Sequence, residues 1–483
     1  MLQVDKNFDQ ISAPSVATVF VAVGMLTVVG ALVSPAPGVV LTSGIVLSFT
    51  VVWLWRPGAP PILLVPILLQ FIEVALKPMA SISGNSLQDL SEFGANLEPA
   101  ALFGLVAMAA LALGLRIGAG KGPTSSNEAA FKDWPFRRIL GLALGAIAVG
   151  HALDMFAVGG ARQIILAFSG IKLAGLFVLA YSTLHFRRGY LWLAAIVAIE
   201  LALGMSGFFS DFRLVLFVLI GAMMTSHWIL SGRGIVLLTM GAALTLLLAA
   251  FWSDVKSDYR NFLNQGSGQQ EIRQPLEERL AYLGNQAVEF DARKLVNGLD
   301  LLFNRLSYID FLAATMQRVP DVLPHEHGAH LGQAVLHLLT PRILFPDKPD
   351  VPDDTVVTAY YTALPAAVFA EPGTSISIGY LGELYIDFGV EGALLATFLL
   401  GLISGRGYRV IRDYPRTPAF VNYGLCMMFA LAFTSFGTAL IKLIGGLVMA
   451  LAAAFLLQRY VWPVLLSLGF MRASTGRSFD RTA

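Results

Sequence analysis

The chain has 483 residues, 56% of them hydrophobic and 13% charged, with a mean hydropathy of +0.69. That is more apolar surface than a soluble core of this length hides, so lipid is expected to be its main solvent. A formal net charge of +1 excludes the broad basic face of a nucleic-acid-binding protein, and a single cysteine excludes an intrachain disulfide.

The N-terminus, MLQVDKNFDQ, mixes acids with bases and lacks a small-residue cleavage site, so the first apolar run is expected to act as the insertion signal. Apolar runs long enough to cross a bilayer occur near 14–33, 38–55, 60–76, 99–115, 139–157, 163–181, 190–207, 212–230 and 234–252. Residues 253–375 hold no such run and carry many charges, after which runs resume near 388–405, 418–435 and 437–457. Hydrocarbon offers no partner to open backbone polar groups, so runs this long and continuous must be helices. The expected fold is all-α, a polytopic transmembrane bundle of about twelve spans. Its expected parts are an N-terminal membrane region over 1–252, a large, partly helical loop over 253–375, a C-terminal membrane region over 376–460 and a tail over 461–483. Cys426, within NYGLCMMFALAF, reads as a small buried hydrophobe.

Lys and Arg resist transfer across the membrane, and here they fall on alternate loops. Arg56, Arg116, Lys121, Arg137, Arg138, Arg187, Arg188, Arg233, Arg406, Arg409, Arg412 and Arg416 mark one side. Loops 34–37, 77–98, 158–162, 208–212 and 253–375 are short, neutral or acid-rich. Both termini are therefore expected in the cytoplasm and the large loop outside. Within that loop, Leu295, Leu299, Leu302, Leu306, Ile309 and Leu312 recur at helical spacing, which predicts an amphipathic helix over 293–317. A second helix is expected at 331–339, stopped by Pro341.

Polar residues inside spans are costly, which singles out Glu73, His151, Asp154, Lys172, Glu200, Arg213, His227 and Lys442. Most are expected to pair, Glu73 with Lys77 four residues on. Arg213 follows the turn GMSGFFSDF and is expected at the outer surface, as an interfacial anchor beside Asp211 or as a ligand for an anionic head group. Further cations in the loop are Lys256, Arg260, Arg305, Arg342 and Lys348, although the loop as a whole is acidic and such cations commonly serve neighbouring carboxylates. Pro341, Pro346, Pro349 and Pro352 restrict the chain around Arg342, Asp347 and Lys348, a rigid presentation that suits an anion.

Glu383, Asp387 and Glu391 recur every four residues and would form one acidic stripe on a continuous helix. Like charges so placed repel, which favours one of them as acceptor for the proton of a sugar hydroxyl; the alternative is a structural partner for Arg213, Arg305 or Arg342. Gly379, Gly382, Gly389 and Gly392 permit close helix approach or a break near Asp387. The run PHEHGAH places His325, His327 and His330 off any shared helical face and reads as a solvated loop with no metal. His337, on the short helix before Pro341, is the better candidate for proton transfer or hydroxyl binding. No nucleotide, dinucleotide or serine-hydrolase motif stands in its required context.

In this setting, PRILFPDKP at 341–349 and GYLGELYIDFGVEGALLATFLLG at 379–401 resemble stretches of the bacterial oligosaccharide repeat-unit polymerases, the O-antigen polymerase (Wzy-type) family. The remainder is similar in hydropathy pattern only. The resemblance implies a membrane glycosyltransferase of the bacterial inner membrane, working without metal or cofactor at the periplasmic face. Its donor and acceptor would be undecaprenyl-diphosphate-linked oligosaccharides, with a chain-length regulator and a flippase as further partners and no nucleic acid. Arg342 and Lys348 are implied as diphosphate or sugar ligands and Glu383 as the acidic member. Asp387 and His337 join as candidate catalytic groups by position, and Arg213, Arg260 and Arg305 as candidate diphosphate clamps. One departure is that the paired arginine-containing periplasmic loops of the family are not evident. Rival readings are a glycan ligase, a transporter or flippase using Asp154, Lys172, Glu200 and Lys442 as its path, and a scaffold with no chemistry.

Overall fold

A computed structural model describes residues 16–56, 59–81, 86–122, 134–157, 162–209, 211–226, 232–267, 271–341, 344–345, 347–369 and 375–467. Among these residues the protein is all-helical. The N-terminal part comprises α1 (Val16–Val33), α2 (Pro37–Leu54), α3 (Leu64–Ala80), α4 (Leu97–Gly118), α5 (Phe136–Met155), α6 (Arg162–Ser169), α7 (Ile171–Phe186), α8 (Tyr190–Met205), α9 (Phe212–Thr225) and α10 (Gly232–Asn264). The intervening region carries α11 (Leu276–Val288), α12 (Ala292–Leu306), α13 (Ile309–Met316), α14 (Ala329–Leu339) and α15 (Asp354–Thr362). The chain then continues through α16 (Tyr380–Arg412), α17 (Ala419–Ala430), α18 (Leu440–Leu456) and α19 (Trp462–Ser467). Six helical stretches among the described residues are long and apolar enough to cross a membrane: Pro37–Leu54, Leu97–Gly118, Phe136–Met155, Arg162–Phe186, Tyr380–Arg412 and Leu440–Ser467. Four shorter apolar helices accompany them.

Helices α4 and α16 form the closest pair at the centre. Gly114 and Gly118 on α4 meet the backbone of Phe398 and Leu402, and Gly401 and Gly405 on α16 meet the backbone of Leu111 and Leu115. A Cβ at any of the four would overlap a carbonyl oxygen of the facing helix. Two small-xxx-small motifs, GLRIG and GLISG, thus let the backbones touch, which compensates for the missing hydrophobic drive between helices in lipid.

The two ends of this pair differ in charge. At one end Arg56 donates to the carbonyls of Gly120 and, at 3.0 Å, Arg116, while Arg412 donates to that of Lys121 at 2.8 Å. Burial there, with Arg116 and Arg412 nearby, lowers the Arg56 guanidinium to about 10. At the other end Ser34 and Ser81 share a hydrogen bond of 2.8 Å, and Glu92 N–H donates to Asp310 at 3.1 Å. Three of the basic loops, those of Arg56, Arg116 and Arg412, therefore meet at one end of α2, α4 and α16.

Two boundaries differ from the sequence expectation. Helix α10 runs past residue 252 to Asn264, because Val255, Tyr259 and Leu263 continue a buried stripe at four-residue spacing. The helix expected over 293–317 is two, α12 and α13, divided at Ser307, where the backbone leaves helical geometry. α12 lies along α10, with Gly298 against the Ala250 carbonyl. The predicted helix at 331–339 is observed as α14, starting two residues earlier.

Candidate functional site

α16 breaks at Gly389, whose φ of 66° is left-handed and whose Cα faces the His325 ring. The break falls where the glycines permit one. It removes Glu391 from the expected acidic stripe, leaving that residue exposed, while Glu383 and Asp387 stay buried on the preceding segment. It also frees the Ile386 carbonyl, which accepts the Glu326 N–H at 3.0 Å and faces His325 Nδ1 at 3.1 Å. The PHEHGAH run therefore packs on the broken helix and is not a solvated loop.

Asp387 is fully buried. Its Oδ1 accepts the His330 N–H at 3.1 Å and faces His330 Nδ1 at 2.9 Å, and its Oδ2 accepts the Leu331 N–H at 2.9 Å. A carboxylate from α16 thereby caps the N-terminus of α14, where free N–H groups and the helix dipole favour negative charge. His330 in turn stands edge-on to Tyr361, whose hydroxyl donates to Glu326 at 3.0 Å. Burial alone would lower the His330 imidazole, but the hydrogen bond and charge of Asp387 outweigh it and leave the group above its ordinary value. With Nδ1 committed to Asp387, Nε2 is the nitrogen left for other work.

Glu383, one turn before Asp387, is 8% exposed, and its Oε2 accepts the Leu440 N–H at 2.9 Å. Among the described residues no donor reaches Oε1. Two residues beyond Leu440, the half-exposed Lys442 pairs with Asp354, which also accepts from Ser375 at 3.2 Å. The non-helical link 434–439 that brings Leu440 here is held from two sides. Glu73 accepts the Phe436 N–H at 2.7 Å, and Tyr380 N–H donates to the Thr438 carbonyl at 2.7 Å. Glu73 does not pair with Lys77 as expected; Lys77 turns to Asp310 instead.

The other sequence candidates are distributed differently. Arg213 is exposed near the start of α9, within electrostatic reach of Glu73 and Asp211, and Asp211 also senses the Lys172–Asp154 pair. Arg260 is buried over the Phe208 ring, its Nε donating to the Phe208 carbonyl at 3.3 Å, in a second apolar cluster with Phe212, Trp252 and Tyr259. That contact packs it between α10 and the turn before α9. Arg305 is exposed in the last turn of α12. Lys348 donates at 2.8 Å to the carbonyls of both His337 and Thr340, closing the C-terminal end of α14. His337 stands seven residues beyond His330, roughly 10 Å along the axis at 1.5 Å per residue. It is His330, and not His337, that reaches Asp387. Arg342 lies outside the described residues, as does His227.

Of the transporter candidates, Lys172 pairs with Asp154, and His151 with Glu200 at 2.7 Å. Sequence reasoning set His330 and Glu326 aside with the PHEHGAH run and missed Tyr361 and Asp354. The available signal was weak: a glycine, Gly328, immediately ahead of an uncharged helix whose second residue is His330.

Residues 100–406 match the model of a family described as a domain of unknown function, DUF8712. No curated protein and no solved structure matches the chain. Because the match spans more than half of the sequence, the chain belongs to the DUF8712 family.

Proposed function

We propose that this chain is a glycosyltransferase of the bacterial inner membrane, with about twelve spans, both termini in the cytoplasm and the 253–375 region on the periplasmic side. It joins undecaprenyl-diphosphate-linked oligosaccharide repeat units into a longer lipid-linked glycan, using neither metal nor nucleotide. The observation that carries this reading is Glu383, a buried carboxylate in the first turn of α16 with one oxygen fixed by the Leu440 amide and the other open.

In the transfer, the acceptor hydroxyl gives its proton to Glu383 as its oxygen attacks the anomeric carbon of the donor. The bond from that carbon to the diphosphate oxygen breaks, and its electron pair leaves with the diphosphate. Lys442 and Arg213 are the described cations suited to neutralise that departing charge, with Arg342 added by the resemblance at 341–349. Asp387 has both oxygens committed to His330 and Leu331, so its part is to position the head of α14 and the His330 ring. General-base assistance of this kind contributes about 10²–10⁴-fold to rate.

The test is incubation of purified protein with a lipid-diphosphate-linked oligosaccharide and EDTA, without nucleotide, followed by product length on a gel. A ladder of longer lipid-linked glycans is the expected result. Movement of intact substrate across a liposome bilayer with no ladder would replace this reading with transport.

A further inference from the structure

We infer that α14 is a membrane-embedded arm, with its outer face in bilayer hydrocarbon. This goes beyond the glycosyltransferase reading and does not depend on it.

Between Ala329 and Pro341 the chain carries no Asp, Glu, Lys or Arg. Ala334 is buried and His330 is turned to Asp387. The outer face presents large apolar side chains: Leu336 is 63% exposed and Leu339 68%, with Val335 beside them and Gln333 as its exposed polar residue. An uncharged helix with an exposed face built mainly of Val and Leu belongs in a nonpolar medium.

Two further observations say which medium. First, α14 packs on α16 and α18, both parts of stretches long and apolar enough to cross a membrane, so its outer face continues the lipid-facing surface of those helices. Second, the protein itself supplies hydrogen-bond partners at both helix ends. The first four N–H groups go to the Glu326 carbonyl, to Asp387 twice, and to the Gly328 carbonyl. At the other end Lys348 serves the carbonyls of His337 and Thr340, and Thr340 N–H serves that of Leu336. Partners supplied by the protein at the open backbone groups of a helix are the condition hydrocarbon imposes and water does not.

The test uses full-length protein with Leu336→Cys, Leu339→Cys or Val335→Cys, each labelled with the fluorophore NBD and reconstituted into phosphatidylethanolamine–phosphatidylglycerol vesicles. Asp321→Cys, at an exposed position of the same region, is the aqueous control. Unsubstituted protein is the labelling blank, because Cys426 is buried. Doxyl-labelled acyl chains should quench the fluorophore at 335, 336 and 339, with iodide quenching severalfold weaker there than at 321. Iodide quenching at 336 and 339 equal to that at 321 would overturn the inference. So would disulfide cross-linking of two copies through position 339 with no quenching by doxyl chains.

Discussion

Lys77 Nζ lies 2.6 Å from Asp310 Oδ2, with both side chains wholly buried, and the pair joins α3 to α13 across 233 residues of chain. Burial pushes the Asp310 carboxyl up and Lys77 pulls it back without fully offsetting the rise. Lys77→Met should therefore destabilise the protein by roughly 3–5 kcal/mol, the cost of stranding a buried charge. Lys77→Met combined with Asp310→Leu should regain most of that loss. Thermal unfolding in detergent measures both, and equal melting temperatures for the single and double variants would contradict the account.

Glu383→Gln keeps an acceptor for the Leu440 amide while removing the base. Chain extension should fall by about 10²–10⁴-fold, with the melting temperature little changed. A wild-type glycan ladder from this variant would remove Glu383 from the mechanism.

The His330–Asp387 tie predicts a pH dependence of stability. The folded imidazole sits above its ordinary value, so the stabilisation is fully present below about pH 6.5 and is lost as pH rises through the raised folded value. Across that window the melting temperature of the unsubstituted protein should fall relative to that of Asp387→Asn. A difference between the two that stays constant with pH would show that His330 is not charged in the fold.

Gly401→Leu and Gly405→Leu force α16 away from α4, because a side chain at either position meets the Leu111 or Leu115 carbonyl. Both should abolish the monodisperse species on size-exclusion chromatography. Gly445→Ala, on α18 with open space around it, should not.

Much of the architecture was legible in advance. The apolar runs at 38–55, 99–115 and 139–157 are helices whose ends differ from the reading by one to three residues, and the loops of Arg56, Arg116 and Arg412 meet at one end. The extension of α10 was less visible, because charges interleave its buried stripe and disguise it as the start of a loop. The GLRIG and GLISG motifs were in plain sight, but spacing on two separate helices does not say that they face each other. At the site, Glu383 and Asp387 were legible as costly carboxylates on a membrane helix. Their partners, Leu440 and His330, stand 57 residues away in either direction, and no local period connects them.

The sequence by itself determined that this protein is helical and suits a membrane, because transfer free energies and backbone hydrogen-bond requirements accumulate residue by residue along the chain. Only the tertiary structure decided that His330 rather than His337 meets Asp387, that Lys77 takes Asp310 rather than Glu73, and that Lys348 closes a helix end. A buried charge must find a partner somewhere in the fold, but which one it finds depends on the geometry of packed helices and not on nearness in the chain.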